Sequence, residues 1–78
     1  MLTVKDMMRL DFEGEWWAYA GAKEAEVRFV FSESATRYYQ VLNHLIGEPA
    51  ALAYAPLTVR RLQRLREARG RARFGRPA

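Results

Sequence analysis

Four side chains with hydrogen-bonding groups suited to DNA bases lie at helical spacing in the middle of the chain. They are Thr36, Arg37, Gln40 and Asn43. They share one side of a helix predicted over residues 34–46. Arg, Gln and Asn have forked donors or acceptors that match guanine and adenine edges in the major groove. This side contains no acidic residue, so the pattern predicts a DNA-recognition helix. The alternative is a polar face that contacts only solvent.

The other side of this helix is apolar. Its residues recur at i, i+3, i+4, i+7 and i+8: Tyr38, Val41, Leu42, Leu45 and Ile46. At the start of the helix, the hydroxyl of Ser34 can accept a hydrogen bond from a backbone N–H of the first turn. Ser34, Tyr39 and His44 are also candidates for phosphate contacts. Tyr39 is equally consistent with packing at the edge of the core.

The positive charge of the chain is concentrated near its C-terminus. The net charge is +4 at pH 7, but residues 60–78 contain eight arginines and one acid. Residues 1–59 contain five basic and eight acidic residues. Such asymmetry indicates a polyanionic partner, most commonly nucleic acid; the alternative is a solvated basic tail. The candidates for phosphate contacts here are Arg60, Arg61, Arg64, Arg66, Arg69, Arg71, Arg73 and Arg76.

The composition excludes several kinds of site. There is no cysteine and only one histidine, so neither a thiolate site nor a multi-histidine metal site is available. His44 has no residue spaced to form a catalytic relay with it, and no glycine-rich loop could hold a phosphate. We therefore predict no enzymatic activity, no cofactor and no metal. No apolar run approaches the ~18 residues of a membrane span and no signal peptide is evident. We expect a cytoplasmic, nucleoid-associated protein.

Four main helices are predicted, over residues 4–20, 22–31, 34–46 and 56–70, with a short helical turn at 49–54. Thr3 and Asp6 resemble a capping box at the first start, and Gly21 is a candidate left-handed residue at its end. The fold class is all-α: a small helical bundle with a tri-helical helix-turn-helix core and a C-terminal basic helix. We divide the chain into a helical domain, 1–69, and an arginine-rich mobile tail, 70–78.

The predicted core takes the apolar side of each helix. Besides the side chains of 34–46, its members are Met8, Phe12, Trp16, Trp17, Tyr19, Ala25, Phe29, Val30, Leu57, Val59, Leu62, Leu65 and Ala68. Asp11 and Glu15 at i, i+4, and Lys23, Glu24, Glu26 and Arg28, are expected in solvent. This core leaves no long apolar stripe outside it, so we predict a monomer or a weak homodimer.

Two strings of the sequence resemble the signature of a small actinobacterial family. They are Trp-Trp-Ala-Tyr-Ala-Gly-Ala-Lys-Glu at 16–24 and Ser-Ala-Thr-Arg-Tyr-Tyr-Gln-Val-Leu-Asn at 34–43. The family also occurs in actinobacteriophages and is catalogued as a domain of unknown function. Its members are often described as helix-turn-helix proteins, so the resemblance implies double-stranded DNA as partner and a role in transcriptional regulation. This chain differs at Ser32, Arg9 and Ala55, where glycine, an apolar residue and a capping aspartate are expected.

Two other classes of function remain open. One is a protein-interaction module, such as a phage product that docks on host transcription machinery through Trp16, Trp17 or the polar face of 34–46. The other is a basic amphipathic helix that lies on an anionic membrane. The membrane alternative is the weaker, because the apolar side of 60–76 offers only Leu62, Leu65, alanines and Phe74.

Overall fold

The computed structural model describes residues 1–15 and 20–74, and the side chains of 1–15 and 21–70. These ranges contain helices and no strand: α1 (Val4–Glu15), α2 (Ala20–Phe31), α3 (Ala35–Leu45), α4 (Pro49–Tyr54) and α5 (Pro56–Phe74). The predicted all-α class is confirmed, whereas the helix-turn-helix core and the division at residue 69 stay predictions. Trp16, Trp17 and Tyr19 lie outside the described residues.

The predicted helix starts are confirmed by their hydrogen bonds. In the capping box of α1, the Thr3 N–H donates to Asp6 Oδ2 (3.1 Å) and the Asp6 N–H donates to Thr3 Oγ1 (3.0 Å). At α3, Ser34 Oγ accepts from the Arg37 N–H (3.1 Å), and Ser34 has extended backbone angles, as an N-cap should. Pro56 is the first residue of α5. The predicted role of Gly21 is wrong: it lies inside α2, and its φ is not positive.

The core is organised around three aromatic rings from α1, α2 and α3. Phe12 packs edge-on against Phe31, with ring centroids 5.6 Å apart, and Tyr38 lies 6.0 Å and 5.3 Å from these two rings. Such pairs add to the stabilisation from buried area. The predicted apolar side of α3 is confirmed, except that Val41 is half-buried. The buried core consists of Leu10, Phe12, Val27, Phe31, Tyr38, Leu42, Leu45, Ile46, Ala51 and Val59.

The predicted core of the other helices is wrong at several positions. Side chains expected inside are exposed: Met8, Ala25, Phe29, Val30, Leu57, Leu65 and Ala68. In α2 the buried pair is Val27 and Phe31, at i and i+4, while Phe29 points the opposite way and is 83% exposed. Apolar residues occur all around α2, so its periodicity does not identify one inward side. The last helix also continues to Phe74, beyond the predicted end near Gly70.

The turn between α2 and α3 contains a left-handed residue. Ser32 has φ of 53°, the only positive φ among the described residues. This is the position where the family resemblance predicts glycine, and the left-handed region is costly for residues with a Cβ. The backbone therefore keeps the turn that glycine would favour, with serine bearing the strain.

A buried arginine joins α1 to this turn. Arg9 donates to Asp6 Oδ1 (3.0 Å) and to Glu33 Oε1 (2.5 Å), and its guanidinium lies 5.8 Å from the Phe31 ring centroid. Burial acts to raise the pKa of Glu33, but hydrogen bonds and charges from Arg9 and Lys5 outweigh it and lower the pKa. Position 9, where the family resemblance predicts an apolar residue, is thus inside the protein. There Asp6 and Glu33 compensate the charge of Arg9.

Helix α5 is attached through its first turns. It packs on α4 and α1, and two of its side chains bind backbone carbonyl groups of α1 and of the C-cap of α3. Arg61 Nη2 donates to the Glu13 carbonyl (2.5 Å), and Gln63 Nε2 donates to the Ile46 carbonyl (2.9 Å). The Ile46 carbonyl lies at the C-terminal end of α3, where carbonyl groups lack partners within the helix. These bonds place α5 beside α3 and leave a groove between the two helices.

Candidate nucleic-acid interface

The predicted recognition face of α3 is open to solvent. Thr36, Arg37, Gln40 and Asn43 are all exposed. They lie on the side opposite Tyr38, Leu42 and Leu45, which the core holds in place. Because α3 is capped at Ser34 and anchored by these buried residues, the polar side chains project from a fixed helix. The structure therefore brings the predicted base-contacting residues together on one surface.

The three other α3 candidates have different surroundings. Ser34 is exposed, but its hydroxyl caps the helix. His44 is exposed, with Nε2 3.8 Å from Glu48 Oε1. Tyr39 is half-buried: its ring packs edge-on against Tyr38 at 5.3 Å and lies 5.3 Å from Lys23 Nζ. The packing alternative for Tyr39 is thus present in the structure, whereas phosphate contacts by all three stay predictions.

An open groove of about 940 Å³ separates the recognition face from α5. Thr36, Gln40 and Asn43 lie along its α3 wall, and Arg66 and Arg69 lie along its α5 wall. Apolar side chains from both helices also line the groove: Leu42, Ile46, Leu62 and Leu65. Polar groups that could read bases and cations that could bind phosphates therefore border the same depression.

One arginine connects the two walls. Arg66 Nη1 donates to the Asn43 carbonyl (3.3 Å) and to Asn43 Oδ1 (3.4 Å), both long hydrogen bonds. Arg60 and Arg64 are exposed but do not line the groove, and helical spacing puts them on the other side of α5. Arg61 is half-buried and bonded to α1. The side chains of Arg71 and Arg73, and all of Arg76, lie outside the described residues.

A carboxylate of low solvent exposure lines this groove. Glu13, 1% exposed, accepts a hydrogen bond at Oε2 from the Tyr38 hydroxyl (2.6 Å). Its Oε1 accepts from Lys23 Nζ (2.7 Å). Burial raises the pKa of Tyr38 well above its ordinary value, and the adjacent Glu13 carboxylate raises it further. The cluster ties α1, α2 and α3 together with charge-assisted hydrogen bonds.

The geometry of this cluster suits a structural role. Both carboxylate oxygens of Glu13 have donors, and the phenol of Tyr38 is held in its neutral form. Within the described ranges, no group of three or more His, Cys, Asp or Glu side chains could hold a metal ion. The cluster therefore fixes α3 relative to α1 and α2.

Sequence reasoning missed the Glu13 cluster and misplaced Lys23, which was expected in solvent. Charged residues in a helix are usually exposed, so neither residue type signals burial. The one available signal is spacing: Glu13 follows Leu10 and Arg9 by three and four residues, which puts it on the inward side of α1. Asp11 and Glu15 are exposed, as predicted.

Comparison with known proteins identifies a family. A family model described as "Protein of unknown function (DUF3263)" matches residues 1–74. No curated protein and no solved structure matches the chain. In the described part of the chain, no helix has the length and apolar character required to cross a membrane.

Proposed function

The chain belongs to the DUF3263 family, and we propose that it binds double-stranded DNA, with α3 in the major groove. One observation carries the proposal: the exposed face of α3 has no acidic residue and lies across one groove from Arg66 and Arg69 of α5. A major groove about 12 Å wide admits an α-helix. The biological role proposed is transcriptional regulation or nucleoid association.

The side chains divide by the contacts they can make. Gln40 and Asn43 are proposed to read base edges, with Thr36 and Arg37 beside them nearer the start of α3. Each good bidentate contact contributes ~1–3 kcal/mol of discrimination between bases. Arg66 and Arg69 are proposed to bind phosphates along the groove wall, where contacts add affinity without sequence preference.

The first experiment separates base readers from residues that only touch solvent. DNA sequences bound by the full chain are selected from a random duplex pool, and affinity for selected and random duplexes is measured by fluorescence anisotropy. The double variant Gln40→Ala, Asn43→Ala should lose preference for the selected duplex and keep its affinity for random duplex. Equal loss on both duplexes would contradict base reading. No binding of any duplex by the wild type would contradict the proposed function.

A second experiment uses the two sides of α5 as matched controls. Each phosphate contact contributes ~0.9 to the slope of log K against log salt concentration. Arg66→Ala with Arg69→Ala should therefore flatten the slope by ~1.8, whereas Arg60→Ala with Arg64→Ala should change it less. Both variants lose the same charge from the same helix, so equal flattening would show that the groove side has no special role.

A second candidate function is the protein-interaction module. The apolar lining of the groove favours it, because Leu65 is exposed and Leu62 is only partly buried there. DNA offers little apolar surface beyond thymine methyl groups. Absence of DNA binding in the first experiment, with the chain folded by circular dichroism, would favour this candidate.

A further inference from the structure

Helix α2 has an exposed apolar side that the described residues, 1–15 and 20–74, leave uncovered. Phe29 is 83% exposed, and Gly21, Ala22 and Ala25 are exposed on the same side of the helix. Val27 and Phe31 are buried on the opposite side, so this exposure does not arise from a helix detached from the core. The prediction of a monomer or a weak homodimer rested on a core that leaves no apolar stripe outside it, and the exposure of Ala25 and Phe29 removes that reason.

A depression lies beside the exposed ring. It has a volume of about 690 Å³ and is lined by Gly21, Glu24, Ala25, Arg28, Phe29 and Ala35. Because glycine and alanine have little or no side chain, the surface of α2 is low at these positions, and a second helix could approach closely. A large ring next to an uncovered depression is a self-complementary arrangement, since each copy offers both parts.

We propose that two copies of this chain associate through α2, with the two helices antiparallel about a two-fold axis at the level of Glu26. In this register Glu24 of each copy is level with Arg28 of the other, which gives two symmetric ion pairs. Each Phe29 is level with the midpoint between Gly21 and Ala25 of the other copy, about 3 Å along the axis from each. The Phe29 ring therefore packs against Gly21 and Ala25 of the facing helix, which have little or no side chain.

The charge pattern of α2 favours a second copy of this chain as the partner. Glu24 and Arg28 flank the apolar side on one edge. An antiparallel copy of the same helix places each acid opposite a base, whereas a parallel copy in register would place like charges opposite each other. Helix α2 packs on α3, while α5 packs on α1 and α4, so the pairing does not require two arginine-rich helices to pack together. The proposal does not rest on DNA binding.

Charge exchange tests the register. Sedimentation equilibrium of the full-length chain should give a mass that rises with concentration to twice 9.1 kDa. Glu24→Arg alone and Arg28→Glu alone should each weaken self-association at least ~10-fold, because each variant places like charges opposite each other in its own dimer.

An equimolar mixture of the two variants should associate again. In the mixed dimer, the arginine introduced by the first substitution faces the glutamate introduced by the second. The unchanged Arg28 of the first variant likewise faces the unchanged Glu24 of the second. Each variant keeps its like-charge pair within α2 in the mixture as well, so recovery reports only the contact between chains.

The apolar contact between the two copies is tested by comparing two exposed apolar residues, Phe29 and Leu57. Phe29→Ser should abolish association, whereas Leu57→Ser, which changes an 84% exposed side chain on α5, should leave it intact. Circular dichroism melts confirm that each variant is folded. A wild-type monomer up to ~1 mM would overturn the proposal. A dimer that Leu57→Ser disrupts and Phe29→Ser does not, or no recovery in the mixture, would overturn it equally.

Discussion

Removing the charge of Glu13 should destabilise the fold by a large part of its total stability. Glu13 is 1% exposed, and its partner Lys23 has a side chain 15% exposed. Removing one member of a buried ion pair costs ~3–5 kcal/mol, because the other charge is left without compensation. Some water reaches Lys23, so we expect Glu13→Gln to cost ~2–3 kcal/mol. A domain of this length has a total free energy of unfolding of ~4–12 kcal/mol.

A double-mutant cycle assigns this cost to the pair. Lys23→Met removes the cation and keeps much of its apolar stem, so the double variant Glu13→Gln, Lys23→Met should lose less than the two single variants summed. We expect a coupling of ~1–3 kcal/mol, measured by urea unfolding followed by far-ultraviolet circular dichroism. The control cycle is Arg64→Met with Glu67→Gln, two exposed side chains on α5. Its coupling should stay below ~0.5 kcal/mol.

Two results would refute the reasoning. One is a Glu13→Gln variant within ~0.5 kcal/mol of the wild type, which would mean that water or another group compensates the ammonium of Lys23. The other is a coupling no larger than that of the exposed control pair. If the free energy of unfolding depended on urea concentration with a different slope in a variant, its unfolded or native state would be altered. The free energies of the variants are therefore compared only where these slopes are equal.

Three further predictions concern other parts of the fold. Ser32→Gly should stabilise by ~0.5–1 kcal/mol in urea unfolding because it relieves the positive φ, and a loss of stability would contradict this. Because Arg9 holds the pKa of Glu33 low against the effect of burial, ionised Glu33 stabilises the fold above pH ~4.5, and that stabilisation is lost as pH falls further. Glu33→Gln should therefore lower the melting temperature more at pH 7 than at pH 3, and an equal loss at both would count against the pair. The Tyr54 hydroxyl donates to Asp11, which raises the pKa of Tyr54, so Asp11→Asn should lower that pKa in a tyrosinate absorbance titration, with Tyr54→Phe identifying the signal.

The sequence was sufficient to predict α3 in detail. Its capping serine, its apolar spacing and its polar side all indicate the same helix in the same orientation, and Tyr38, Leu42 and Leu45 are buried as predicted. The spacing also decided which residues share the candidate face. Local signals of this kind are reliable when propensity, capping and periodicity agree.

The orientation of α2 and the buried charges could not be predicted in this way. Val27, Phe29, Val30 and Phe31 offer apolar groups in almost every direction, and only tertiary contacts select Val27 and Phe31 for the core. Glu13 is buried because Lys23 and Tyr38, which lie ten and 25 residues away, donate to its two oxygens. Pairings of this kind depend on how helices are placed, which no local pattern encodes.

The attachment of α5 has a consequence for the kinetics of any encounter with a polyanion. The 19-residue helix is bonded into the protein at Arg61 and Gln63, and it is already helical through Phe74. Arg66 and Arg69 are thus carried on a stiff rod about 28 Å long, and ordering it on contact is unnecessary. Association should be limited by orientation and accelerated at low salt by long-range attraction. Far-ultraviolet circular dichroism should therefore show little gain in helical signal from α5 when a polyanion binds.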